Sequence, residues 1–140
     1  MWLGEMTPKA AQELVGVARL FVADSEGLPL SSLSIVGSHS PPPTEKVRVQ
    51  LATAYRELEA AGVQQVWVAE GSRSRAALVL GVGLAVSTAA SSSLRLKFAI
   101  SVYEAAEMIA PRLSSASGRA PVLASIVDQV RSHMETLGPP

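Results

Sequence analysis

A stretch of 19 residues without a charge, Ala76 to Leu94, most restricts how this chain can fold. About 20 apolar residues are enough to span a bilayer as a helix. Here, however, the second half of the stretch is rich in serine and threonine, and Gly81 and Gly83 interrupt the apolar half. The stretch therefore predicts two strands, 76–81 and 83–88, joined by a tight turn at the glycines, and no membrane insertion.

Composition bounds the size, the partners and the chemistry of the protein. A chain of 140 residues buries roughly two thirds of its unfolded surface, which suffices for one core without disulfides or metals. Twelve basic residues balance twelve acidic ones without a basic cluster, so we expect no nucleic-acid binding. The lack of cysteine excludes thiol catalysis and is consistent with a cytoplasmic protein. Residues 1–5 lack the basic and apolar segments of a secretory signal.

Apolar periodicity predicts the elements of the first half of the chain. Thr7 to Val17 has the cap, the proline and the apolar spacing of a short helix. Alternation from Val17 to Ala23, an Asp-Ser-Glu-Gly turn and a second stretch, Leu28 to Val36, predict a β-hairpin. After a proline-rich loop, Thr44 to Ala61 carries the clearest helical stripe, and Gly62 is expected to end that helix.

The second half of the chain completes the predicted fold. Val63 to Glu70 alternates as a third strand that is apolar on both faces around Trp67, and the charge-free stretch supplies two more strands. Residues 91–113 are expected to form a long helix, and Pro121 to Leu137 a further amphipathic helix. The sequence thus predicts an α+β fold with a five-stranded antiparallel sheet. Its order is helix-strand-strand-helix-strand-strand-strand-helix, followed by an extra C-terminal helix.

No residue pattern indicates catalysis, a cofactor or a metal. His39 lies between two serines beside three prolines, but no G-x-S-x-G motif is present, and an exposed loop histidine is the simpler interpretation. His133 is equally isolated, with no carboxylate at ligand spacing. Gly81 and Gly83 imitate part of a dinucleotide-binding fingerprint, but predicted strand residues follow them. We therefore expect a protein that is not an enzyme.

Three segments resemble the roadblock/LC7 domain family. Residues 17–30 are similar to that family's first strand, Asp-x-x-Gly turn and second strand. Residues 51–69 are similar to its central helix and edge strand, and residues 86–113 to its last strand and closing helix. On this resemblance, residues 1–113 form a roadblock/LC7-like domain, and residues 114–140 form a linker and a C-terminal amphipathic helix.

The resemblance implies a cytoplasmic, non-enzymatic homodimer that binds a small Ras-like GTPase and activates or localises it. In such a dimer the third strands pair across a two-fold axis, beside the central helices. The residues expected at this interface are Leu51, Tyr55, Leu58, Val66, Trp67 and Val68. The residues expected to contact a partner protein are Arg48, Arg56, Glu59, Val130 and Met134.

The sequence leaves two alternatives open. The apolar faces around Trp67 are explained equally well by helices of the same chain and by pairing with a second copy. A different class of function also fits the predicted layers of helix and sheet. This alternative is a small-molecule or peptide-binding sensor or scaffold module, in which apolar residues of the long helix line a pocket.

Overall fold

The computed structural model describes residues 5–25, 27–37, 39–89, 96–112 and 120–137. In these residues the chain forms five α-helices, three β-strands and one short 3₁₀ turn. The helices are α1 (Pro8–Ala23), α2 (Glu45–Ala60), α3 (Arg73–Ala89), α4 (Val102–Ile109) and α5 (Ala120–Leu137). The strands are β1 (Ser31–Val36), β2 (Gln64–Ala69) and β3 (Leu96–Ala99), and the 3₁₀ turn is Ala110–Arg112.

The three strands form one parallel sheet in the order β1-β2-β3. Ser34 lies beside Trp67 in the first pair of strands, and Trp67 lies beside Phe98 in the second. The predicted five-stranded antiparallel sheet is therefore wrong, because the described sheet has three strands and helices connect them. Parallel strands need such crossovers, since the chain must return to the same end of the sheet before each new strand.

The charge-free stretch lies largely in helix α3, where two strands and a turn were predicted. Its inward side follows helical spacing, with Val79, Gly83 and Val86 buried. A Cβ atom on Gly83 would lie 2.7 Å from Phe98 Cε1 and still closer to Cζ. Glycine at this position thus lets the ring of Phe98 pack against the helix backbone. The residue that suggested a turn is a packing residue inside a helix.

Helix α1 replaces both the predicted short helix and the predicted first strand. The alternation of Ala18, Leu20 and Val22 suggested a strand, but Ala18 and Val22 are also one helical turn apart. Both pack against the core, whereas Leu20 is exposed. The predicted turn is present but ends a helix: Asp24 donates its backbone N–H to the carbonyl of Leu20 at 2.9 Å. Gly27 follows with a φ of 80°.

The long helix predicted over residues 91–113 is also wrong. That range contains β3, and α4 begins only after Ser101, whose hydroxyl accepts a hydrogen bond from the backbone N–H of Glu104 at 3.1 Å. The Glu104 carboxylate in turn accepts a hydrogen bond from the backbone N–H of Ile100 at 2.8 Å. This arrangement closely resembles a capping box, which fixes the start of a helix. The expected cap, residues 91–93, lies outside the described residues.

Four predicted elements agree with the structure. The helix expected over 44–61 is α2, and Gly62 follows it with a φ of 75°. The strand expected over 63–70 is β2, and the helix expected over 121–137 is α5. The last six residues of the strand expected over 28–36 form β1.

Helices cover both faces of the sheet. On one face, α1, α2 and α3 enclose a cluster built around Leu51, Tyr55 and Trp67. On the other, Val66 and Val68 pack with apolar residues of α4 and α5. β2 is therefore the central strand, covered on both faces and paired on both sides.

The ring of Trp67 is the centre of the first cluster. The residue is fully buried (0% exposed), and its ring centroid lies 5.4 Å from that of Tyr55 and 6.2 Å from that of Phe98. The first contact is tilted, and the second is edge-to-face. Such aromatic pairs stabilise a core beyond the area that they bury. Trp67 thereby joins α2, β2 and β3.

We expect opposite effects from alanine at the two glycines of α3. Gly83→Ala displaces the Phe98 ring and destabilises the protein by about 1–3 kcal/mol, the usual range for overpacking. Gly81→Ala meets no atom within 4 Å and replaces a poor helix former, so it stabilises the protein by about 1 kcal/mol. Urea unfolding of both variants measures the difference. Similar losses at both positions would contradict the helix and favour a turn.

We also expect an alkaline loss of stability that depends on Tyr55. Burial raises its pKa from 10.0 to about 12, although hydrogen bonds with Ser34 and Trp67 partly oppose the shift. Because the folded state favours the neutral phenol, this contribution is complete below pH 10 and is lost as the pH rises towards 12. Between these pH values, the free energy of unfolding in urea should therefore fall more steeply for the native chain than for the Tyr55→Phe variant. Parallel pH profiles would refute the burial effect.

Candidate functional site

The carboxyl ends of parallel strands form the edge at which such sheets commonly hold ligands. At this edge β1 leads into the proline-rich loop, β2 into α3 and β3 into α4. The connection from β2 to α3 turns at Gly71, whose φ of 111° favours glycine. Arg75 from α3 and Arg131 from α5 both reach this edge.

Arg75 fastens the loop that follows β1. Its Nη2 donates a hydrogen bond to the carbonyl of Gly37 at 3.1 Å and another to the carbonyl of Ser40. The Nε atom is buried and has no hydrogen-bond partner. The backbone N–H of Arg75 donates to the hydroxyl of Ser72, which caps the first turn of α3. The guanidinium thus links the start of α3 to the loop, and its role here is structural.

A second arginine ties α5 to the end of β2. Arg131 Nη2 lies 2.5 Å from Glu70 Oε1, and the two side chains are 30% and 28% exposed. Because this ion pair is partly shielded from water, it contributes more than a fully exposed pair would. It holds the helix layer on the second face of the sheet to the central strand.

An exposed ion pair joins α1 to α2. Arg19 Nε and Nη2 donate to the two carboxylate oxygens of Glu57 at 2.8 and 2.6 Å. These hydrogen bonds lower the pKa of Glu57 and raise the pKa of Arg19. A cavity of about 210 Å³ lies beside the pair, lined partly by Val22 and Leu58. It is smaller than the roughly 300–1,000 Å³ typical of ligand pockets.

A cleft of about 610 Å³ lies at the opposite, amino end of the strands. Lys97 and Arg112 line it together with Gln65, whose Oε1 is buried without a hydrogen-bond partner.

All six residues of the predicted dimer interface lie inside the single chain. They are Leu51, Tyr55, Leu58, Val66, Trp67 and Val68, and each is buried. The strand expected at the sheet edge is the central strand β2, so it offers no backbone edge to a second copy. A dimer interface on these residues does not agree with the structure, because helices of the same chain cover the apolar faces around Trp67.

The residues predicted to contact a partner are not brought together. Arg48 and Arg56 donate hydrogen bonds to backbone carbonyls of α2 or of the residues just before it. Glu59 lies near the end of α2, beside the 610 Å³ cleft. Val130 is half exposed on α5, which covers the other face of the sheet. Met134 is also in α5, and its side chain lies outside the described residues.

Two exposed apolar surfaces were missed by the sequence prediction. The first, the α1 patch, consists of Val17, Leu20 and Phe21; Leu28, which follows α1 in the chain, is also exposed. The second, the α3 flank, consists of Leu80, Leu84 and Ile100. The spacing of three and four residues from Val17 to Leu20 and Phe21 was a usable signal for a helix face. It was masked because the same residues also fit the alternation of a strand.

Comparison with known proteins finds no relative of this chain. No family model, no curated protein and no solved structure matches it. The resemblance to roadblock/LC7 domains thus gains no support, and the antiparallel sheet that it implied is not the sheet of this chain.

The part of the chain that the structure describes contains neither a helix long and apolar enough to cross a bilayer nor a cluster of three metal-ligating side chains. His39 is exposed in the loop after β1, and His133 is exposed on α5.

Replacing Arg75 should loosen the loop after β1. Arg75→Met removes the hydrogen bonds to Gly37 and Ser40, so amides of this loop should exchange with solvent at least about tenfold faster, since bonds from charged groups contribute about 1.5–3 kcal/mol. Arg73→Met is the matched control, because Arg73 is an exposed arginine at the start of the same helix. Hydrogen-exchange mass spectrometry reports the difference. Equal protection in both variants would show that Arg75 does not hold the loop.

Proposed function

We propose that this protein is a non-enzymatic adaptor that binds another protein through the α1 patch. The observation that carries the proposal is the exposure of three large apolar side chains close together on α1; Leu20 is 66% exposed. Single exposed apolar residues are normal on a protein surface, whereas contiguous ones mark interaction sites. Val17, Leu20 and Phe21 are neighbours on α1 because they are three or four residues apart.

The charges around the α1 patch indicate the chemistry of the partner. Glu13, Val17, Leu20 and Asp24 follow at intervals of four, three and four residues, so they share one side of α1. Carboxylates therefore lie at both ends of the apolar stretch. Glu13 makes a long, exposed contact with Lys9 at 3.9 Å. We infer a partner segment that places apolar side chains between lysines or arginines, as an amphipathic basic helix does.

The inner side of α1 is anchored, which keeps the patch in one orientation. Ala11 and Ala18 are buried in the cluster shared with α2, and small side chains let two helices approach closely. The Arg19–Glu57 pair adds a bidentate link between the same helices. A surface that is already rigid loses little conformational entropy on binding. The α1 patch therefore suits recognition of a partner that itself becomes ordered.

The other functions considered from the sequence stay predictions. No feature of the described residues favours a small GTPase over another protein partner, and the resemblance that implied one also implied an antiparallel sheet. The sensor alternative placed its pocket along a helix over residues 91–113. In the described part of that range the chain forms β3 and α4 instead.

A charge inside the α1 patch should abolish partner binding without unfolding the protein. Leu20→Glu places a carboxylate at an exposed helix position, and loss of a central apolar contact should weaken capture of the partner at least tenfold. Ile126→Glu is the matched control, since Ile126 is 49% exposed on α5 at the other face of the sheet. Affinity capture with the native chain and with both variants, followed by mass spectrometry, measures how much of each partner protein the three chains retain.

The proposal expects a protein retained by the native chain and by Ile126→Glu but not by Leu20→Glu. Because carboxylates flank the patch, retention should also fall between 0.05 and about 0.5 M salt, where the screening length shrinks to a few ångströms. Proteins retained equally by all three chains, or by none of them, would refute the adaptor function of this patch.

A further inference from the structure

We propose that the cleft of about 610 Å³ at the amino end of the strands binds a short peptide by its two charged ends. The charged and polar side chains that line this cleft include Glu59, Gln65, Lys97 and Arg112. Its volume lies within the roughly 300–1,000 Å³ typical of ligand pockets. The residues of the α1 patch are not among those that line it, so this site is separate from the adaptor surface and goes beyond that function.

The cleft lies where two helices reach the amino end of the strands. On the first face of the sheet, α2 ends at Ala60, shortly before β2 begins. On the second face, the side chain of Gln64 donates a hydrogen bond to the carbonyl of Met108, near the end of α4, at 3.0 Å. Arg112 ends the 3₁₀ turn that follows α4. The cleft therefore extends past the end of the sheet, from α2 on one face to the end of α4 on the other.

The first face supplies a hydrogen-bond acceptor that lacks a donor. Gln65 is 2% exposed, and its Nε2 donates to the carbonyl of Tyr55 at 2.9 Å, which fixes the orientation of the amide. Among the described residues, its Oε1 has no hydrogen-bond partner. A buried acceptor without a donor is unfavourable, so this oxygen favours a ligand that brings an N–H group into the cleft.

The same side of the cleft favours a positive charge. Glu59 contributes a carboxylate, and the last turn of α2 directs its carbonyl groups towards the cleft. The C-terminal end of a helix carries a partial negative charge, which stabilises cations. An ammonium group meets both requirements, because it is positively charged and donates three hydrogen bonds.

The second face supplies two cations. Leu96 and Phe98 pack in the cluster on the first face, so Lys97, which lies between them, points to the second face. Arg112 follows α4, which covers that face. Neither Lys97 nor Arg112 forms an ion pair within the part of the chain that the structure describes. Both are therefore available to a carboxylate, with which they form charge-assisted hydrogen bonds.

The separation of these groups favours a peptide over a single amino acid. Successive side chains of a strand point to opposite faces, so the thickness of the sheet separates the acceptor from the cations. In an α-amino acid the ammonium and the carboxylate are attached to one carbon atom, too close together to reach both sides. An extended chain gains roughly 3.5 Å per residue, so two to four residues separate the ends of a peptide by about 7–14 Å. Capture of terminal charges is a known mode of peptide recognition.

A series of alanine peptides tests which ligand groups the cleft recognises. Isothermal titration calorimetry of the full chain compares alanine, dialanine, trialanine and tetraalanine. We expect at least one of the peptides to bind with a dissociation constant of about 1 mM or lower. Its N-acetylated and C-amidated forms each lack one terminal charge, so these forms and alanine should bind at least about tenfold more weakly. The N-acetylated form tests the side of Gln65 without a substitution of that buried residue.

A matched pair of lysine variants tests the location of the site. Lys97→Met removes a cation at an exposed position, so the chain should fold and should bind the same peptide at least about tenfold more weakly. Lys46→Met is the control, because Lys46 is exposed at the start of α2, the end of that helix remote from the cleft. This variant should bind the peptide as the native chain does.

Three results would overturn the peptide site. The first is that none of the alanine peptides binds at about 10 mM, roughly tenfold above the expected dissociation constant. The second is that alanine, or a form without one terminal charge, binds as tightly as the free peptide. The third is that Lys97→Met binds as tightly as the native chain. None of these results alters the separate test of the α1 patch.

Discussion

The enclosure of one indole ring in the central strand is the constraint on which the rest of the structure depends. Trp67 packs against Tyr55 of α2 on one side and against Phe98 of β3 on the other. Phe98 in turn occupies the space that Gly83 leaves beside α3. Two strands and both crossover helices therefore meet around a single side chain. A parallel sheet of three strands satisfies these contacts because it needs a covering helix after each of its first two strands.

This enclosure also determines which groups remain for function. The most apolar strand is used entirely within the chain, and two arginines at the carboxyl edge hold a loop and a helix in place. The surfaces left for partners are therefore the outer sides of helices. The surface on α1 is bounded by carboxylates and suits a basic partner.

The sequence predicted helices and strands correctly where the apolar residues fitted either the helical or the strand period but not both. The apolar residues of α2 do not alternate as they would in a strand, so the helix was predicted correctly. Its end was also predicted correctly, because Gly62 follows it. From Val17 to Ala23 the apolar residues fit either period, and burial of Ala18 with exposure of Leu20 separates the two only in the folded chain. Gly81 and Gly83 suggest a turn in the sequence because Phe98, the residue that Gly83 contacts, is distant along the chain.

Some errors in the site prediction were avoidable from the sequence. Ser101-Val-Tyr-Glu104 has the spacing of a capping box, and it places a helix start inside the range assigned to one long helix. A helix starting there leaves Leu96 to Ala99 available as a strand. Trp67 would then have been expected at the centre of a sheet and not at its edge. The exposed flank of α3, by contrast, required knowledge of which helix lies beside the open strand.

Backbone NMR assignment of residues 73–99 tests the parallel fold most directly. We expect uninterrupted helical carbon shifts from Arg73 to Ala89, including Gly81 and Gly83, and parallel contacts between the amide protons of β2 and β3. Strand-like shifts on both sides of the two glycines, with antiparallel contacts across them, would contradict the parallel fold and every surface derived from it.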